Sequence, residues 1–138
     1  VRESQPAVTC LDHDDAAALR EHPRCDVALA CGVFLYFPDE VYAREVLARM
    51  VRKARRAVAV LDVADRATQE AALAHRRAHL DPEAYALRYE GPGHLYLDRA
   101  WFERERLALG CAGVVTEEQR IAGYANGRFR FNVLATLA

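Results

Sequence analysis

Two short runs, Val27 to Cys31 and Ala57 to Leu61, are apolar at every position, and a helical pattern lies between them. A strand with one wet face alternates apolar and polar residues, whereas a strand apolar on both faces belongs between two layers of helix. The stretch between the runs opens at Pro38-Asp39 and places Tyr42, Val46, Leu47, Met50, Val51 and Ala54 on one stripe at helical spacing. Asp39 and Glu40 stand at its start, and Arg52, Lys53, Arg55 and Arg56 at its end, so both ends complement the helix dipole. Strand, helix and strand in that order predict a parallel pair.

The rest of the chain extends this alternation. Ala7 to Leu11 reads as an earlier strand, and Asp12-His13-Asp14-Asp15 can cap a short helix over 16–21. Thr68 to Leu80 reads as a second helix, stopped by Asp81-Pro82. Residues 85–93 read as irregular, with a turn at Gly91-Pro92-Gly93. Asp98 reads as the N-cap of a helix carrying Trp101, Phe102, Leu107 and Leu109, ended by Gly110 or Gly113. Val114 to Ile121 reads as a strand. Phe129, Phe131, Val133, Ala135 and Leu137 then alternate with Arg128, Arg130, Asn132 and Thr136, the period of a half-buried strand. Asn126-Gly127 between these two runs signals a hairpin. The predicted fold class is α/β: a mostly parallel sheet with helices on both faces and a C-terminal antiparallel β-hairpin, in one domain over 1–138.

Charge and cysteines remove several function classes. Nineteen Lys+Arg against twenty Asp+Glu leave a net charge of −1, which offers no whole-molecule field for nucleic acid or an acidic membrane. The longest nearly unbroken apolar run, 27–37, is too short to span a bilayer. The basic-then-apolar pattern of a signal peptide is not read in the opening residues, and none is expected. Cys10, Cys25, Cys31 and Cys111 form no C-x-x-C pair and are too sparse for a disulfide scaffold. A reduced, cytoplasmic setting is the expectation. The chain opens at Val1 and its single methionine is Met50. Unless a tag has been removed, we expect an upstream start and a longer parent protein.

In open α/β sheets ligands bind beyond the carboxyl ends of the parallel strands. That rule selects 12–15, 31–39 and 62–66. The segment from Cys25-Asp26 through Val27-Ala28-Leu29-Ala30-Cys31-Gly32 to Val33-Phe34-Leu35-Tyr36-Phe37-Pro38-Asp39 resembles the fourth-strand region of class I S-adenosylmethionine-dependent methyltransferases. The following helix, the strand 57–61, the helix before Gly113 and the ending Gly123 to Val133 fall in that family's order. The resemblance covers essentially the whole chain. It implies a Rossmann-like methyltransferase fold that is incomplete, running from the third strand onward. The family's first motif is a glycine-rich loop, and no G-x-G follows an early strand here: the glycines are at 32, 91, 93, 110, 113, 123 and 127. Arg52 to Arg56 stands where many members have a Pro-Gly turn. A chain of this kind is expected to bind the cofactor weakly or not at all by itself.

The resemblance implies the following roles. Asp14 or Asp15 is the acid after the third strand, near the adenine, because only eleven residues separate Asp14 from Asp26. Cys31, Gly32 and Phe34 sit beside the cofactor. Tyr36, Asp62, Asp65 and Tyr96 meet the substrate. His94 and Tyr36 are the catalytic candidates, with His94 preferred as general base because an unperturbed imidazole titrates nearest neutrality. The parent is expected to move a methyl group from S-adenosylmethionine to an oxygen or nitrogen of a small molecule. The alternative is a non-catalytic Rossmann-like module that has lost cofactor binding and pairs with a partner. The sheet edge left by missing strands is expected to pair, within the chain or with another copy. No metal site is expected: His75 and His79, four residues apart, read as a solvated helix face. Cys25 and Cys31 read as core residues. Arg128 and Arg130 read as an exposed strand face, with a hold on an anionic substrate as the alternative.

Overall fold

The computed structural model describes residues 13–89 and 93–138. The strand predicted over 7–11, with Asp12, lies outside the described residues. A short helical turn, His13–Ala18, leads to strand β1, Cys25–Cys31. Helix α1, Glu40–Lys53, follows, capped as expected by Asp39, whose Oδ1 accepts from the Tyr42 amide at 2.8 Å. It runs straight into strand β2, Ala54–Ala64, so Arg55 and Arg56 are strand residues and not the end of the helix. Helix α2, Gln69–His79, ends at Leu80 before Asp81-Pro82. Pro82 then starts a further helix, α3, Pro82–Tyr89, where an irregular stretch was expected. Proline is well suited to a first helical turn, and the Asp81 side chain accepts from the Ala84 amide at 2.9 Å. Helix α4, Arg99–Leu109, has Asp98 as its cap and stops at Gly110, which takes the left-handed conformation at φ 70°. Strands β3, Gly113–Glu118, and β4, Arg130–Thr136, complete the chain.

The sheet order is β1-β2-β4-β3. Among the described strands only β1 and β2 run parallel; β4 is antiparallel to both β2 and β3. The sheet is therefore mixed, and the expectation of a mostly parallel sheet is corrected. The hairpin of β3 and β4 contributes two antiparallel pairings, since β4 is inserted between β2 and β3.

One face of the sheet carries the core. Ala28, Val58, Val60, Phe131, Val133 and Ala135 are buried with Val46, Leu47 and Met50 of α1 and Trp101 and Phe102 of α4. The opposite face is different. Leu29 pairs Ala59, Ala59 pairs Leu134, and Leu134 pairs Val115, so the four share one face. Leu29 is 62% exposed, and Val27, Leu134 and Val115 are exposed as well. Helical cover on both faces, expected from the apolar run of β1, is not found among the described residues. Cys31 is likewise exposed and Cys25 half-buried, so neither belongs to the buried core.

Candidate functional site

The carboxyl ends of the two parallel strands open onto a cleft of about 690 Å³. Its floor is built where both strands break their regular geometry. Gly32, directly after β1, has φ 65° and donates its amide to the Leu61 carbonyl at 3.0 Å. Asp62, across from it in β2, is the non-glycine residue with a positive φ among the described residues, 61°. That conformation costs an ordinary side chain roughly 1–2 kcal/mol. Bonds from both its ends hold it there. Its amide donates to Asn132 Oδ1 at 3.0 Å, and its Oδ2 accepts from the Tyr124 hydroxyl at 2.9 Å. The pairing of β2 with β4 shifts register between Val60 and Val63, which places this kink beside the cleft.

The wall opposite is the segment before α4. Leu95 donates to Leu35 at 2.8 Å, Leu97 to Ala64 at 3.0 Å, and Arg66 to Leu97 at 3.0 Å. Those backbone bonds pin His94 and Tyr96 over the ends of β1 and β2. Arg76 of α2 reaches both: its Nη2 lies 2.7 Å from His94 Nδ1 and 3.2 Å from the Tyr96 hydroxyl. Tyr36, 54% exposed, meets the His94 ring edge-on at 5.4 Å. Tyr85 and Arg88 of α3 line the cleft, with Tyr124 and Arg130 from the hairpin.

This surrounding sets the chemistry of His94. A guanidinium only donates, so Nδ1 must accept, and the neutral ring carries its proton on Nε2. Burial, then the positive charges of Arg76 and Arg130, hold its pKa down at about 4. At neutral pH His94 is an uncharged imidazole with little tendency to take a proton. That departs from the ordinary imidazole on which its reading as general base rests.

The other expected site residues divide clearly. Gly32, Tyr36, Asp62, His94 and Tyr96 line the cleft together. Phe34 does not: it is 1% exposed and packs on Phe37 at 4.7 Å and Phe102 at 6.4 Å, inside the core. Asp65 is a cap: its Oδ1 accepts from the Ala67 amide at 2.9 Å, and Oδ2 lies 3.7 Å from Arg99. Cys31 is exposed outside the cleft lining. Asp14 and Asp15 belong to the turn His13–Ala18. Sequence reasoning missed Arg76, Tyr85, Arg88 and Tyr124. It read Arg130 as part of an exposed strand face, with a hold on an anionic substrate as the alternative, and the structure buries its side chain to 5% exposure. The period-2 pattern assigned the strand face correctly; what lies over that face is not encoded in it. The His75 and His79 rings meet tilted, 4.1 Å between centroids, and among the described residues no group of three His, Cys, Asp or Glu side chains could hold a metal ion.

Neither a family model nor a curated protein matches this chain. Solved structures do. A possible exported protein from Bordetella parapertussis superposes with a TM-score of 0.59 at 17% identity, covering 89% of this chain and 42% of that one. An O-methyltransferase family protein from Burkholderia thailandensis gives 0.55 at 20% identity, covering 92% and 34%. Magnesium protoporphyrin IX methyltransferase from Synechocystis, with bound S-adenosylhomocysteine, gives 0.53 at 16% identity, covering 90% and 48%.

The fold is methyltransferase-like.

The chain spans less than half the length of these three structures. In this methyltransferase-like fold the cleft lies where the strand-end rule places a ligand. The residues present fit a methyl-donor cofactor only in part. The strand-end cleft exists, but the sequence has no glycine-rich loop after an early strand to admit the cofactor's methionine end. No helix among the described residues is long and apolar enough to cross a membrane.

Proposed function

We propose that this chain forms the acceptor-binding part of an S-adenosylmethionine-dependent methyltransferase acting on an oxygen or nitrogen of a small molecule. The observation that carries the reading is the cleft beyond the parallel strands β1 and β2, in a methyltransferase-like fold, walled by Tyr36, Tyr85, Tyr96 and Tyr124. Two of the structures it resembles are named as methyltransferases, and one of these holds the demethylated cofactor. When bound, S-adenosylmethionine supplies an electrophilic methyl group.

The chain's own residues do the remaining work. Tyrosine rings present flat, largely apolar faces that orient a planar acceptor and displace water from it. Asp62 is the carboxylate lining the cleft, and the Tyr124 hydroxyl is bonded to it. This pair is the better candidate for receiving the proton of an O–H or N–H acceptor. His94, neutral and tied to Arg76, positions and does not deprotonate.

The test is made on the natural full-length polypeptide. Calorimetric titration with S-adenosylhomocysteine is expected to show saturable binding, and tritiated S-adenosylmethionine is expected to label a small-molecule acceptor pool. Absence of S-adenosylhomocysteine binding in that polypeptide overturns the reading.

A further inference from the structure

The guanidinium of Arg130 lies in a setting that a structural ion pair does not explain. Its side chain is 5% exposed and lines the cleft. Its Nε and Nη1 have no hydrogen-bond partner, although the guanidinium also acts on the Tyr124 hydroxyl. Its ion-pair contact is with Asp62 Oδ1, 3.9 Å from Nε, which is too long for a hydrogen bond. Asp62 Oδ1 has no hydrogen-bond partner either. Asp62 is not placed to close that gap, because its positive φ, its amide bond to Asn132 and its bond from Tyr124 all fix it. A buried cation normally acquires a close counter-charge, since desolvation is otherwise costly. Here the carboxylate nearest to it is held just out of reach and shared with a tyrosine.

The surrounding charge has the same sign. Arg76 and Arg88 line the cleft with Arg130, and Asp62 is the carboxylate among the lining residues. Burial first, and then the positive charges of Arg76 and Arg130, lower the His94 pKa, so both guanidinium charges act on the same side chain of the cleft. In a partly desolvated space that field is little screened and favours an anion. The remaining lining is aromatic: Tyr36, Tyr85, Tyr96 and Tyr124.

We propose that the cleft selects an anionic acceptor, a small aromatic carboxylate. Its oxyanion lies by Arg130, with Arg76 and Arg88 in the same cleft lining, and its ring lies among the tyrosines. Taken as the methyl acceptor, this molecule rests on the methyltransferase reading above; the site's preference for an anion is measured without it.

The experiment compares benzoate with the neutral isostere benzamide by ¹H–¹⁵N NMR titration of the full-length polypeptide. Benzoate is expected to bind roughly tenfold or more tightly, with the shifted resonances at Gly32, Tyr36, Gly93 and His94. Arg130→Gln is expected to abolish the preference. Because that side chain is buried, Arg88→Gln, at an exposed position, is measured beside it and is expected to weaken benzoate while leaving benzamide unchanged. Equal affinity for the two probes, absence of benzoate binding, or an undiminished preference in both variants overturns the proposal. Titration with S-adenosylhomocysteine separates the two readings. Arginine-dependent benzoate binding without cofactor binding leaves the anion site standing and removes methyl transfer. Cofactor binding without a benzoate preference removes the anion site alone.

Discussion

His94 shows how an environment rewrites a residue's chemistry. Its pKa falls from the usual 6.5 to about 4, first through burial and then through Arg76 and Arg130. The unfolded chain protonates this imidazole near pH 6.5, and the folded protein does so only near 4. The folded state therefore binds fewer protons in that window, so stability falls as pH drops from about 6.5 to about 4. Above that window the contribution is fully present. The His94 Cε1 proton resonance is expected to titrate with a midpoint near 4. In Arg76→Gln the midpoint is expected to rise while staying below 6.5, because burial, the larger cause, remains. A wild-type midpoint near 6.5 means the ring is solvated and free of its arginines. Nothing in Gly93-His94-Leu95 indicates any of this, because Arg76 lies on a different helix and meets His94 only through the fold.

The helices were legible because their signals are local. Asp39 and Asp98 each stand directly before an amphipathic run, and each caps it, with Oδ1 at 2.8 Å from the Tyr42 amide and 2.6 Å from the Trp101 amide. Asp39→Ala and Asp98→Ala are each expected to cost about 1 kcal/mol in urea unfolding, and the corresponding Asn variants about half that or less. Helix α3 was missed for a related reason. Pro82 was read as a terminator of α2, which it is, but it is also a favoured first residue of the next helix. Strand periods were equally readable in β4, where Phe131, Val133 and Ala135 are buried as alternation requires. The pairing partners of that strand were not, since register and direction depend on residues far away in the chain.

At the scale of the whole molecule the two faces of the sheet make opposite predictions. Phe131 is fully buried between the sheet and α4, where its ring meets Phe102 at 5.8 Å. Phe131→Ala is expected to cost about 3–5 kcal/mol, as lost burial plus a residual cavity. On the other face Leu29 is 62% exposed, so Leu29→Lys is expected to change stability by less than about 0.5 kcal/mol. Urea midpoints of the two variants check both. A loss comparable to that of Phe131→Ala at Leu29 means that this face is covered in solution. The apolar run of β1 implied such cover, but composition reports only that a face can be buried, not that something in the described chain buries it.

Local patterning within this chain dictates most of the strands, the capped helices, the α/β class and the position of the cleft at the strand ends. These follow from short-range sterics, capping hydrogen bonds and hydrophobic period, which act over a few residues. The tertiary structure alone decides that β4 lies between β2 and β3, that Arg130 is buried beside a carboxylate its Nε does not hydrogen-bond, and that burial, with Arg76 and Arg130, holds His94 neutral. Each of these arises from groups brought together across dozens of residues, where burial and charge, rather than spacing, set the outcome.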